Sequence, residues 1–335
     1  MIVKEDSISL LKIFAALLVI TLHCDSVYWF FNYDAFNSTF IFTTIISVLT
    51  RVCVPLFVLV SGRYLLSNLN NRTAKEFYKT KLPRILIPLV AWNIIYLIFR
   101  LGTEQNFTLK QGLIETVKFG SYSHLWYLYL ILMLYILTPL INKFIKNLTP
   151  KKLMILTISL ISLGSLAEFI RTLTGFINIP IYYPVEFIGY YLAGYSLKDY
   201  KVKFSKKYLL LGYIGIGVLG GIIALIFANN GYRTLYIWFH MSVNPVTIIG
   251  AISLYLYASN SSVKNSKLAS LSKYNLGIYA IHLGILNLLM FNITNLSITG
   301  IVLLDILIYI TITIVLSIVL SILLYKNKFT RLLVS

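Results

Sequence analysis

The chain has 335 residues and a formal net charge of +18, and 58% of its residues are hydrophobic while only 12% are charged. An average soluble domain contains roughly 25% charged residues, so this composition excludes an ordinary water-soluble protein. The mean hydropathy of +0.82 predicts an integral membrane protein instead. Two cysteines, Cys24 and Cys53, are too few for a disulfide framework or a thiolate metal cluster.

Ten apolar segments follow one another along the chain, each about long enough to cross a bilayer as a helix. We predict transmembrane helices at residues 8–31, 40–66, 85–101, 124–141, 153–170, 183–197, 208–227, 235–257, 276–291 and 298–324. The first segment lacks the cleavage site of a signal peptide, so we expect it to be retained. The predicted fold is all-α: one domain over residues 1–335, a polytopic integral membrane bundle of about ten transmembrane helices.

Loops rich in Lys and Arg alternate along the chain with loops that hold few of them. The N-terminus, the C-terminus and every second loop hold most of the 29 basic residues. The opposite loops hold only Arg100, Lys110, Lys118, Arg171 and Arg233. By the positive-inside rule, the N-terminus and the C-terminus are both predicted to be cytoplasmic. The basicity therefore indicates orientation in a lipid bilayer, and we expect no binding to nucleic acid.

The first predicted helix carries the ionisable side chains of Lys12 and His23, although a charge in the hydrocarbon layer is costly. Eleven positions separate them, so on an α-helix they lie about 20° apart in direction and about 16 Å apart along the axis. A histidine at this depth fits a general base that deprotonates a hydroxyl near neutral pH. The alternative is structural: Lys12 reaches the inner headgroups and His23 bonds a neighbouring helix.

Further ionisable residues lie inside or at the edge of the predicted helices. Arg51 suits an interfacial position or an ion pair, and Glu168 is able to pair with Arg171 three residues later. Lys81 and Arg84 open the third helix, where they fit either a topology signal that attracts anionic lipid or a clamp on phosphate groups. Two more histidines, at positions 124 and 282, are each compatible with a purely structural hydrogen bond.

Five stretches of the sequence resemble marks of the acyltransferase 3 family, integral membrane enzymes that O-acylate surface glycans and other exported molecules. Lys12 and His23 match the family's Arg-x10-His in the first helix. Residues 51–62 resemble its arginine-started P-L-F-x-x-x-S-G run, and residues 81–88 resemble its basic R-x-x-R entry to the third helix. Residues 124–129 and 276–282 are similar to its H-L-W-F-L-Y and G-I-Y-x-x-H elements. Lysine replaces arginine at positions 12 and 81.

This resemblance implies an acyl-CoA donor, commonly acetyl-CoA, at the cytoplasmic face, and an acceptor hydroxyl reached from within or across the membrane. His23 would be the catalytic base. The donor would be bound by Lys12, Lys81 and Arg84. The site would also be lined by Arg51, His124, Trp126, Tyr127 and His282. The acyl-CoA would be a co-substrate, and neither a bound cofactor nor a metal is implied.

The expected function is a membrane O-acyltransferase, with acetyl as the expected group, that acts on a cell-surface polysaccharide or its lipid-linked precursor in a bacterial plasma membrane. No Ser-His-Asp order or G-x-S-x-G turn is present, which favours direct transfer over a serine acyl-enzyme, with a histidine acyl carrier as another route. A transporter or flippase of glycan precursors is the alternative, but such proteins typically show discontinuous helices and repeated halves, and we detect no repeat. A glycan polymerase typically needs a larger outer loop than residues 102–123.

Overall fold

A computed structural model describes residues 2–31, 36–69, 73–118, 120–175, 183–292 and 298–334. Of residues 2–4, 27–31 and 290–292 it describes the backbone alone. These described residues form helices and no strands, which confirms the all-α prediction.

The helices follow in this order: α1 Ile2–Phe31, α2 Ser38–Thr50, α3 Cys53–Asn68, α4 Ala74–Lys81, α5 Pro83–Thr103, α6 Leu109–Lys118, α7 Trp126–Ile145, α8 Pro150–Thr174, α9 Tyr183–Ser196, α10 Lys207–Asn229, α11 Arg233–Phe239, α12 Pro245–Asn260, α13 Ser266–Ala269, α14 Asn275–Asn292, α15 Val302–Lys326 and α16 Arg331–Val334. Two short 3₁₀ helices, Ser123–Leu125 and Ser270–Tyr274, precede α7 and α14.

Seven helical stretches in the described part of the chain are long and apolar enough to cross a membrane. They are Glu5–Ser26, Ser38–Asn68, Ala74–Thr103, Leu109–Ile145, Pro150–Thr174, Lys207–Asn229 and Val302–Lys326. The prediction of a multi-pass membrane protein is thus confirmed. Helices α9, α12 and α14 occupy the positions of the other three predicted spans but are shorter or less apolar by this measure, so the count of about ten and the cytoplasmic placement of both ends stay predictions.

The second predicted helix, residues 40–66, is interrupted where we expected it to be continuous. Helix α2 ends at Thr50, a two-residue turn holds Arg51 and Val52, and α3 begins at Cys53. Pro55 explains the position of the turn. A proline has no amide hydrogen to give to the carbonyl four residues earlier, and its ring crowds that carbonyl, which here belongs to Arg51. The turn therefore sets Arg51 at a bend inside the membrane domain.

The eighth predicted helix, residues 235–257, is also divided. Helix α11 ends at Phe239 and α12 begins at Pro245, with residues 240–244 unwound between them. Asn244 caps α12, because its side chain accepts from the amide of Thr247 at 3.0 Å. Proline is favoured in the first turn of a helix, so the Asn-Pro pair restarts the helix at this point.

Buried side chains bond the backbone of this unwound segment. Glu168 on α8 accepts from the amides of Ser242 at 3.1 Å and Val243 at 2.8 Å. Tyr190 on α9 donates to the Ser242 carbonyl at 2.9 Å. Unwound backbone is tolerated at membrane depth when protein groups satisfy it in this way. Glu168 thus has a structural role that differs from the predicted pairing with Arg171, whose side chain instead bonds Glu186 at 2.7 Å.

Two glycines let α3 and α9 approach until their backbones touch. A Cβ atom at Gly62 would overlap the Tyr191 carbonyl oxygen, and one at Gly194 would overlap the Leu59 carbonyl oxygen. Small residues of this kind permit close helix crossings in membrane proteins, where apolar side chains gain little over lipid. Gly62 closes the second sequence stretch that resembles the acyltransferase family, so part of that stretch serves packing.

Candidate active site

Three histidines from distant parts of the sequence meet in the interior of the bundle. His23 comes from α1, His124 from the 3₁₀ turn before α7, and His282 from α14. The ring centroids of His23 and His282 are 5.1 Å apart, and those of His124 and His282 are 5.3 Å apart. His282 therefore lies between the other two rings. Among the described residues, no three His, Cys, Asp or Glu side chains are grouped so that they could hold a metal ion.

Hydrogen bonds to backbone carbonyls fix the tautomers of two of these rings. Nδ1 of His282 lies 2.5 Å from the Tyr279 carbonyl, and Nε2 of His124 lies 3.2 Å from the Ala280 carbonyl. A carbonyl only accepts, so each of these nitrogens carries the hydrogen. The opposite nitrogens, His282 Nε2 and His124 Nδ1, are buried and bond to no described group. Each ring thus keeps one nitrogen whose lone pair is not engaged by a described residue.

Tyr96 on α5 fastens α14 at the level of these histidines. Its hydroxyl donates to the Ala280 carbonyl at 2.7 Å and accepts from the Gly284 amide at 3.1 Å. An uninterrupted α-helix would pair that carbonyl with that amide, so the hydroxyl is inserted into the helical hydrogen-bond ladder. The same carbonyl holds His124, and the Tyr279 hydroxyl donates to the carbonyl of His124. Tyr96 and Tyr279 therefore position the cluster, a role that sequence reasoning did not assign to either.

A cavity of about 630 Å³ opens beside His23. Its wall includes His23, Ser26, Arg100, Glu104, Glu115 and Tyr122, contributed by α1, by the end of α5 and by α6 with the segment after it. This volume falls in the roughly 300–1,000 Å³ range of small-molecule sites. Because His23 lies on its wall, a ligand in the cavity reaches the histidine cluster.

The Arg100 guanidinium is held by several neighbours at the cavity wall. Nε and Nη2 donate to the two carboxylate oxygens of Glu104 at 2.8 and 2.9 Å. Nη1 donates to Glu115 and, at 3.0 Å, to the Ser121 carbonyl. The guanidinium carbon also lies 3.8 Å from the centre of the Phe107 ring. These contacts tie the end of α5 to α6 and give the cavity a rigid charged rim.

Arg51 and Asp25 are two further ionisable residues near His23. Asp25 is fully buried, and neither of its carboxylate oxygens accepts a hydrogen bond from a described residue. Arg51 interacts electrostatically with Asp25, with Glu168 and with His23. Sequence reasoning missed Asp25, although it is an acidic residue inside the first predicted helix and only two positions after His23. Ionisable residues this deep in a membrane domain are costly, which makes Asp25 a candidate functional residue beside Arg51.

The predicted donor-binding residues lie at the other ends of the same helices. The Lys12 ammonium is 5.9 Å from the centre of the Tyr64 ring and about 16 Å along α1 from His23. Lys81 ends α4 and Arg84 is exposed in the first turn of α5, about 24 Å along that helix from Arg100. The structure therefore separates these three cations from the cavity by much of the length of the bundle.

Tyr127 and Trp126, the two remaining predicted site residues, lie in different surroundings. The Tyr127 ring lies 5.3 Å from that of Tyr279, so Tyr127 borders the histidine cluster. The Trp126 ring instead packs against Tyr183 and Phe187 of α9, at 4.9 and 5.8 Å between centroids. Trp126 thus takes part in helix packing at this side of the bundle.

A comparison with protein-family models finds one whose description is an acyltransferase domain, and it matches residues 5–326. The match covers nearly all of the chain and includes the three histidines, the cavity wall and the basic ends of α4 and α5. No curated protein matches the chain significantly, and no solved structure does.

Proposed function

The chain belongs to the acyltransferase 3 family, and from that premise we propose that it transfers an acyl group from acyl-CoA to a hydroxyl of a cell-surface polysaccharide or of its lipid-linked precursor. It is a membrane acyltransferase. Acetyl is the group that we propose, and a bacterial plasma membrane is the proposed location. The observation that carries the proposal is the position of His23, which lines a polar cavity and whose ring centroid lies 5.1 Å from that of His282.

His23 is the proposed general base and general acid. The acceptor hydroxyl gives its proton to the His23 ring while its oxygen attacks the carbonyl carbon of the thioester. The carbon–sulfur bond then breaks, and the CoA sulfur leaves with the proton that the ring received. The products are an ester and free CoA, and the histidine returns to its neutral form.

Two neighbouring groups support this reaction. The His282 ring packs against the His23 ring at 5.1 Å between centroids, which limits the orientations open to the base. Arg51 is a cation that interacts with His23, so we assign to it the stabilisation of the negative oxygen that forms on the attacked carbonyl.

The separation of the predicted cations from the cavity fits entry of the two substrates from opposite sides. The diphosphate of the donor would lie at Lys12, Lys81 and Arg84, and the extended pantetheine arm would carry the thioester along α1 toward His23. The acceptor would enter through the cavity at the other end of α5. The break between α11 and α12 resembles the discontinuous helices of transporters. Its backbone groups, however, bond the side chains of Glu168 and Tyr190, which belong to the protein itself.

The direct test uses the purified protein in lipid nanodiscs with acetyl-CoA labelled in the acetyl group. Release of free CoA and incorporation of label into a surface-glycan extract are measured with and without the extract. We expect both signals to require the protein. Movement of a labelled lipid-linked saccharide across vesicles that needs no acyl-CoA, with no CoA release, would instead identify a transporter.

The proposed phosphate contacts predict a specific defect in use of the donor. Lys81→Ala or Arg84→Ala is expected to raise the acyl-CoA concentration for half-maximal rate about tenfold or more, because a charge-assisted hydrogen bond contributes roughly 1.5–3 kcal/mol. The dependence on acceptor concentration should change little. Lys151→Ala, which removes an exposed charge at the start of α8, is the matched control. An unchanged donor dependence in both variants would leave this cluster with a topological role only.

The charge alternation predicts the side of the membrane on which each loop lies. Protease tags at both termini should be protected in intact cells and cut after permeabilisation, whereas a site inserted near Gln111 on α6 should be cut in intact cells. A terminal tag that is digested in intact cells would reverse the proposed orientation.

A further inference from the structure

Among the residues that the structure describes, the charged groups on the wall of the cavity beside His23 are one arginine, Arg100, and two glutamates, Glu104 and Glu115. Their formal sum is one negative charge. The residues next in sequence to the cavity wall, at positions 27–35, 119 and 290–297, include no Lys or Arg. The exposed Lys110 and Lys118 of α6 are not part of the wall.

Arg100, the cation that the described wall contributes, is already engaged. Arg100 bonds both oxygens of Glu104, one oxygen of Glu115 and the Ser121 carbonyl, and its plane lies over Phe107. A guanidinium has five N–H donors in a fixed fork, and four hydrogen bonds occupy this one. A bidentate contact with an incoming carboxylate or phosphate would have to displace a glutamate. Arg100 therefore stabilises the wall of the cavity and is poorly placed to bind an anion.

The remaining groups of the wall suit uncharged hydroxyls. Glu115 is 45% exposed and uses only one carboxylate oxygen for Arg100, so the other is available to accept from a ligand hydroxyl. Ser123 and Asn287 add neutral hydrogen-bonding groups. A hydroxyl that donates to a carboxylate forms a charge-assisted bond, whereas an anion at the same place meets repulsion that a partly dry cavity strengthens.

We propose that this cavity binds the acceptor and selects an electrically neutral polyol, such as a neutral sugar unit, over a carboxylated or phosphorylated one. That the bound ligand is the acceptor rests on the proposed function. That the ligand is electrically neutral rests on the cavity alone. Selection here works by exclusion as well as by attraction, because Glu115 would oppose an anion that a hydrogen-bonding wall alone would accept.

The experiment first measures the electrostatic potential of the cavity without any sugar. In a Ser123→Cys variant, a positively and a negatively charged methanethiosulfonate of similar size are compared as thiol reagents. The native cysteines, Cys24 and Cys53, are buried. Relative to free cysteine in solution, we expect the cationic reagent to gain about tenfold or more over the anionic one at low salt.

Adding Glu115→Gln should remove most of that gain. Lys110→Gln, which also neutralises one charge on the same helix but outside the cavity, should leave the gain nearly unchanged. A gain for the anionic reagent, or no effect of Glu115→Gln, would overturn the proposal. These readouts need no acyl transfer, so they stand or fall separately from the proposed function.

The second arm offers the protein acetyl-CoA with methyl glucoside or methyl glucuronide, which differ only by a hydroxymethyl or a carboxylate group. Acetylation of the glucoside should exceed that of the glucuronide at least tenfold, and Glu115→Gln should narrow the difference several-fold. Equal or preferred use of the glucuronide would overturn the neutral-acceptor proposal while supporting acyl transfer. If neither sugar is acetylated and no CoA is released, the proposed function fails, and the charge of the cavity is judged from the reagent rates.

Discussion

Replacing His23 by Ala is expected to reduce acyl transfer by about 10² to 10⁴-fold, the range that a positioned general base contributes. The variant should still insert and fold, because exchange of a mid-helix imidazole for a small apolar side chain does not oppose insertion. His23→Gln, which keeps a polar side chain but supplies no base near neutral pH, should lose a similar amount. The measurement is label transfer to glycan at equal protein level in membranes.

A variant at Lys12 tests the proposed donor site independently of His23, the proposed base on the same face of α1. Lys12→Arg restores the residue of the family pattern and is expected to keep or improve the activity, since the guanidinium can form two hydrogen bonds to one phosphate.

If His23→Ala retains most of the acyl transfer in membranes at equal protein level, the general-base assignment is wrong. His23 would then be a residue that bridges α1 and α14 through His282.

Replacing Gly194 by Ala is expected to lower the stability of the bundle strongly. The added Cβ would overlap the Leu59 carbonyl oxygen on α3, and a backbone atom in a helix cannot turn aside as a side chain can. Overpacking typically costs about 1–3 kcal/mol, and this contact should reach or exceed the upper end of that range. Folded yield and the midpoint of thermal unfolding in detergent are the readouts.

The control is Gly215→Ala in α10, where a Cβ would meet nothing within 4 Å. This change should be neutral or stabilising by about 0.5–1 kcal/mol, because alanine favours a helix over glycine. A normal unfolding midpoint for Gly194→Ala would show that α3 and α9 separate more easily than their close backbones indicate.

Much of the helical framework follows from hydropathy alone, because a segment of roughly 20 apolar residues has few options other than a helix in lipid. The breaks do not follow from it. Pro55 gives a local reason for the turn at Arg51, and Asn244 with Pro245 gives one for the start of α12. The unwound backbone between α11 and α12, however, is stabilised by a carboxylate more than 70 positions earlier, which accepts from the amides of Ser242 and Val243. Such a partner leaves no mark in the local pattern.

The residues of the candidate site also fall into those that the sequence predicted and those that it did not. The family pattern singled out the three histidines, and the structure brings them together from three separate segments. Tyr96 and Asp25 were missed because their importance depends on what faces them: a helix carbonyl and amide for one, a buried arginine for the other. Trp126, which the pattern placed in the site, faces α9 because aromatic residues on a membrane helix also serve packing.

The bond between Glu168 and the unwound segment also sets an order for biosynthesis. Glu168 precedes Val243 by 75 positions, so α8 leaves the ribosome before the amides that it will bond. When residues 240–244 emerge, their acceptor is already among the inserted helices, and the amides can exchange water for a protein partner without a stage exposed to lipid. The later part of the chain thus completes its insertion on a template made by the earlier part.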